Sequence, residues 1–186
     1  MKAFVIADRA PQGSIREIIN KENIDIIITL GDLTYPDLAE LEHITNIPKI
    51  GVYGNHCLGT YMEPLGIINM HLKAYQWNGL SFGGFQGCVR YKDNPDAIMC
   101  TQEEASDLMK DFPKVDVFLS HAPPYGINDE PGDPTHEGFK ALRAYLEEVQ
   151  PKVWLHGHTY PEEEKLIKQF NRTRIEYIYR QGVVEL

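Results

Sequence analysis

The 186-residue chain carries 18 Lys and Arg against 27 Asp and Glu, a formal charge of −9, with 42% hydrophobic and 24% charged residues. These values exclude a disordered or fibrous chain, and the scattered basic residues exclude a large nucleic-acid surface. Three cysteines, Cys57, Cys88 and Cys100, without CxxC spacing exclude a zinc finger and a disulfide framework.

The length suits a single domain over residues 1–186. Residues 1–7 are too short and too soon followed by Asp8 and Arg9 for a signal peptide, and no run approaches the ~20 apolar residues of a membrane span. A soluble, cytoplasmic protein without a membrane partner is expected; the oligomeric state is open.

Residues 2–7 are a continuous apolar run of the kind that forms a strand buried on both faces. A helix over 12–21 follows, with Ile15, Ile18 and Ile19 at helical spacing, then a strand over 24–30. Pro36 suits the first turn of a helix over 36–43, before a strand over 48–53, giving β-α-β-α-β order. Residues 66–87 break the alternation, since 74–77 and 80–84 flank Asn78-Gly79, a two-residue hairpin signal. Thr101 and Glu104 form a capping box for a helix through Lys110, and strand 115–120 follows.

Residues 123–134, rich in Pro, Gly and Asp, predict a functional loop. A helix over 136–148, a strand over 152–156 and a hairpin of 174–179 with 183–185 around Gln181-Gly182 complete the reading. The whole predicts an α/β sandwich, two mixed sheets flanked by helices.

Short polar blocks end the apolar runs: Asp8, Gly31-Asp32, Gly54-Asn55-His56, Ser120-His121 and Gly157-His158. Loops converge beyond the carboxyl ends of such strands, and a mixture of carboxylate, amide oxygen and imidazole suits a borderline divalent metal. With Asp8-Arg9-Ala10 and Gly157-His158-Thr159-Tyr160 at the two ends, the set resembles the calcineurin-like metallophosphoesterases. Their pattern runs D-x-H, G-D, G-N-H, a later H, then G-H-x-H.

The resemblance implies metal-dependent hydrolysis, through a metal-activated water, of a small phosphodiester or phosphomonoester. It implies that Asp32, Asn55, His121 and His158 hold one ion. A second site would use Asp8, Asp32 and imidazoles at positions 10 and 160, which here are Ala10 and Tyr160. One tightly bound ion is therefore expected, Mn²⁺ first with Fe, Zn or Ni as alternatives, and a second that is weak or absent.

The same resemblance makes His56 the proton donor to the leaving group. Arg9 reads as a phosphate grip or as charge compensation, against a solvent-facing arginine. Tyr35, in Gly31-Asp32-Leu33-Thr34-Tyr35, matches the tyrosine of the purple acid phosphatase branch and reads as an alternative oxygen donor, with packing as the plainer role, while Tyr160 either coordinates or displaces the ion with its larger ring. His156 reads as a core histidine or a support for the ligands, and Asp133 and His136 as pocket rim. The alternative function is a weak or inactive phosphoesterase-fold scaffold or binding protein, as the family's retromer subunit illustrates.

Overall fold

Alternation along the first strand sets the layering. In the computed structural model, which describes residues 1–186, β1 (Lys2–Ala7) sends Ala3, Val5 and Ala7 into one apolar cluster and Phe4 and Ile6 into another. The chain continues through α1 (Ile15–Glu22), β2 (Ile26–Thr29), α2 (Tyr35–Leu38), β3 (Lys49–Gly51), β4 (Ile68–Asn69), β5 (Ala74–Trp77) and β6 (Leu80–Phe85). Next come β7 (Cys88–Val89), β8 (Met99–Cys100), α3 (Gln102–Met109), β9 (Val117–Ser120), α4 (Lys140–Val149), β10 (Val153–His156), β11 (Gln169–Phe170), β12 (Thr173–Tyr177) and β13 (Arg180–Glu185).

Two large sheets result, with orders β13-β1-β2-β3-β4 and β11-β12-β10-β9-β6-β5. In the first, β1 to β4 are parallel and β13 antiparallel; in the second, β12, β10, β9 and β6 are parallel, with β11 and β5 antiparallel. Both are mixed, as expected. Val5, Ile28, Val52, Phe82, Leu119 and Leu155 fill the space between the sheets. Ile15 and Ile19 of α1 and Leu38 of α2 cover the outer face of the first sheet, while Met109 of α3 and Leu142 and Leu146 of α4 cover that of the second. No helix is long and apolar enough to cross a membrane.

Local chemistry explains most boundaries. Thr101 and Glu104 form the expected reciprocal capping box on α3. Asn78 and Gly79, at φ 48° and 79°, turn the β5–β6 hairpin as predicted.

Three expectations are corrected. The helix over 36–43 divides into the single turn of α2 and a 3-10 turn at Ala39–His43, because fully buried Leu38 and Leu41 are spaced i, i+3, the repeat of the tighter helix. The helix over 136–148 begins instead at Lys140. Phe139, wholly buried, is extended: its N–H donates to the Pro123 carbonyl and its carbonyl accepts from the Tyr125 N–H, which pins residues 136–139 to the loop. Finally, 174–179 and 183–185 form no hairpin. β12 pairs with β10 and β13 with β1, so the chain passes from one sheet to the other at Ile178, whose side chain is buried between them. The two-residue strands β4, β7, β8 and β11 are too short to show a periodic pattern.

Trp154 anchors the outer core of the second sheet. It is fully buried, stacks on Phe118 with centroids 4.3 Å apart, and donates its indole N–H to Ser120 Oγ at 3.0 Å. Trp154→Ala should cost about 3–5 kcal/mol, read as a lowered urea midpoint. Trp154→Phe should lose less, since only the second ring and one hydrogen bond go.

Candidate metal centre

The predicted ligand residues all lie beyond carboxyl ends of parallel strands: Asp8 after β1, Asp32 after β2, Asn55 and His56 after β3, His121 after β9 and His158 after β10. The first sheet thus contributes the oxygens and the second contributes two imidazoles. Asp8, Asp32 and His158 have left-handed backbones, at φ 63°, 52° and 71°. Each costs on the order of 1–3 kcal/mol in a non-glycine residue, which the surrounding packing must offset.

Glycine is required where the turns meet. A Cβ on Gly54 would lie 2.1 Å from Asp32 Oδ1 and 2.5 Å from the Asp32 backbone nitrogen. One on Gly31 would lie 2.2 Å from the Gly54 nitrogen, so the G-D and G-N blocks press main chain against main chain.

His121 is fully buried at the centre. Its Nδ1 is 2.7 Å from the Leu30 carbonyl, an acceptor, so Nδ1 carries the proton and Nε2 is left to bind. That Nε2 stands 3.1 Å from Asn55 Oδ1 and 3.4 Å from Asp32 Oδ2. Asp32 is held in turn by the His56 N–H, which donates to Oδ1 at 2.8 Å. His158 Nε2 lies 2.9 Å from the Thr135 carbonyl, which places its proton there and frees Nδ1. Asp32, His121 and His158 each offer one ligand atom, all within 4.8 Å of one another.

The electrostatics suit a cation. Burial would lower the His121 pKa, but the charge and hydrogen bond of Asp32, the charge of Asp8 and the Leu30 carbonyl together outweigh it and hold the imidazole at about 9. Burial works equally against the Asp32 carboxylate, yet the charge and hydrogen bond of His121 keep its pKa well below the usual range. His158 is pushed down to about 3, first by burial and then by the charge of His121, so it offers a neutral imidazole. Two oxygen acceptors facing one imidazole nitrogen call for positive charge between them, and a divalent ion supplies it without a proton. The donor set therefore fits the metal that the resemblance implies.

The second half-site is thinner. Burial raises the Asp8 carboxyl to about 6, and both its oxygens accept from the His158 N–H at 3.2 Å. Asp8 is not among the three side chains that converge. Ala10 presents only its carbonyl, which accepts from Arg180 at 3.2 Å. Tyr160 is exposed, with its hydroxyl held above the ordinary pKa by burial of the oxygen and by Asp8, so it is a neutral phenol. Arg9 is exposed beside Tyr179 and Tyr160.

The remaining candidates separate. The Tyr35 hydroxyl donates to Glu42 at 2.5 Å at the surface, so in this structure it is engaged in a hydrogen bond with a carboxylate. His156 is a buried core histidine: Nδ1 donates to the Gly157 carbonyl at 3.1 Å and Nε2 accepts from Asn128 Nδ2 at 3.0 Å. Asn128 also exchanges two bonds with the Ile167 main chain, clasping the loop to the chain after β10. Asp133 and His136 form a pair beside His158. Asp133 Oδ2 accepts from His136 Nδ1 at 2.8 Å, and the His136 ring centroid is 5.5 Å from that of His158. His56 is exposed.

Sequence reasoning missed the two carbonyls that orient the imidazoles, Leu30 and Thr135, because any residue supplies a carbonyl. It also missed Glu130, whose carboxylate lies 3.9 Å from His136 Nδ1. The acidic character of the loop was the available signal.

A family model, Calcineurin-like phosphoesterase, matches residues 10–162. Among solved structures, the chain resembles TT1561 of Thermus thermophilus, with a TM-score of 0.58 and 18% identity over 92% of this chain and 87% of that one. Vacuolar Protein Sorting 29 from Cryptosporidium parvum gives a TM-score of 0.43 and 13% identity over 95% of this chain and 72% of that one. No curated protein matches the sequence. With its matched span covering most of its length, and the sandwich and strand-end centre in place, the chain belongs to the calcineurin-like phosphoesterase family.

Proposed function

We propose that this chain is a metal-dependent phosphohydrolase acting on a small phosphodiester or phosphomonoester, with one complete metal site and one depleted site. The carrying observation is the convergence of Asp32, His121 and His158 within 4.8 Å, with Asn55 Oδ1 3.1 Å from His121 Nε2. A purely structural cluster has no need for two buried imidazoles that each turn one nitrogen to a main-chain carbonyl and leave the other for a ligand.

Asp32, Asn55, His121 and His158 would hold the tight ion, and Asp8 with Asp32 a weak second one. The mixed N/O donors suit Mn²⁺ first, then Fe, Zn or Ni. When bound, the ion supplies Lewis acidity toward the phosphoryl oxygen and lowers the pKa of water. The protein does the rest. Leu30 and Thr135 fix the imidazole orientations, so little reorganisation accompanies binding. His56, its backbone tied to Asp32, donates a proton to the departing ester oxygen. Arg9, exposed at the turn after Asp8, pairs with the phosphate.

Ala10 and Tyr160 favour the second reading, a binding protein on the same fold. The two readings differ in measurable ways. Purified protein should retain near one equivalent of transition metal and hydrolyse bis-p-nitrophenyl phosphate or p-nitrophenyl phosphate in added Mn²⁺. No metal and no hydrolysis would overturn the hydrolase reading.

His56→Ala should reduce turnover roughly 10²- to 10⁴-fold with metal content unchanged; loss of the ion would reassign His56 as a ligand. The double variant Ala10→His, Tyr160→His should raise the stoichiometry toward two ions and increase turnover. A variant that gained neither would refute the assignment of positions 10 and 160 to the second site.

A further inference from the structure

Few large apolar side chains remain exposed, and two of them touch beside the metal centre. Tyr160, 55% exposed, and Tyr179, 42% exposed, meet edge to face with centroids 5.7 Å apart and an interplanar angle of 77°. The Tyr160 ring lies 5.9 Å from that of His136, which lies 5.5 Å from His158. Four rings therefore run from an inner ligand of the candidate centre to solvent. Arg9, one residue after Asp8, sits beside both tyrosines.

An edge-to-face pair satisfies the edge of one ring and leaves broad aromatic surface in water. Adjacent exposed rings at the mouth of a polar site are unlike the single apolar side chains scattered over most protein surfaces. Resting on the phosphohydrolase reading above, we infer that Tyr160 and Tyr179 form a stacking platform for the nucleobase of a nucleotide substrate whose phosphate lies at the metal centre. Such stacking tolerates any base, because every base has a π-face.

Tyr160 and Tyr179 stand two and three ring contacts from His158, at the solvent end of the row. A nucleobase offers these rings a π-face, which a bare sugar phosphate lacks. Arg9, beside both tyrosines and next to Asp8, carries a guanidinium that can pair with the phosphate or stack on the base. At position 160 the aromatic ring thus takes a substrate role in place of metal ligation.

The test compares adenosine 5′-monophosphate with ribose 5-phosphate, which share the ester bond and differ by the base. Binding is measured by titration calorimetry in matched Mn²⁺ buffer, and kcat/KM by phosphate release. Adenosine 5′-monophosphate should bind about tenfold more tightly, the worth of one base–aromatic stack. Tyr179→Ala should collapse that ratio toward one, and Tyr179→Phe, which keeps the ring, should preserve it. Equal binding of the two ligands, or a ratio unmoved by Tyr179→Ala, overturns the platform even if both are hydrolysed. Preferential, Tyr179-dependent binding with hydrolysis of neither ligand, nor of bis-p-nitrophenyl phosphate, upholds the platform and refutes the hydrolase reading instead.

Discussion

One buried hydrogen bond ties the two halves of the molecule into a centre. His121, at the end of a strand in the second sheet, donates its Nδ1–H to the carbonyl of Leu30, at the end of a strand in the first, across 2.7 Å of buried interior. Without that bond the imidazole could rotate, and its Nε2 would have no fixed relation to Asn55 and Asp32. With it, the spacing of the sheets becomes the spacing of the ligands. The apolar layer of Val5, Ile28, Val52, Leu119 and Leu155 between the sheets therefore acts on the chemistry, since it sets how closely the two strand ends approach.

The strand-end logic was legible because it rests on local residue types: continuous β-branched runs, then Gly-Asp, Gly-Asn-His, Ser-His and Gly-His. The reasons for the glycines were only partly so. Gly31 needs its positive φ of 96°, a local property, but Gly54 is required by Asp32 pressing against it from a different strand. Long-range contacts of this kind leave no periodic trace. The same holds for residues 136–139, whose sequence could begin a helix but whose backbone is claimed by Pro123 and Tyr125. It holds too for the passage at Ile178, where a turn-like Gln181-Gly182 lies inside a strand.

The two half-sites differ in how much of the structure stands behind them. Asp32, His121 and His158 are each held by groups on other elements. Positions 10 and 160 lie nearer solvent, with Ala10 engaged through its carbonyl and Tyr160 half in water. Substitution there leaves the packed interior untouched, so the fold accommodates Ala10 and Tyr160 without disturbing the buried residues behind them. The left-handed backbones at Asp32 and His158 belong to the supported side of this division, for such strain persists only where neighbours enforce it.

Because Leu30 and Thr135 orient the imidazoles through main-chain oxygens, no single-residue replacement can delete those acceptors. Side-chain change at either position alters packing while the tautomers of His121 and His158 stay as they are. The geometry of the centre is thereby insulated from most point mutation, and the freedom to vary is concentrated at the rim, where side chains alone decide what is gripped. A chain built this way can change what it recognises by a few exchanges near the surface while its interior coordination remains the same.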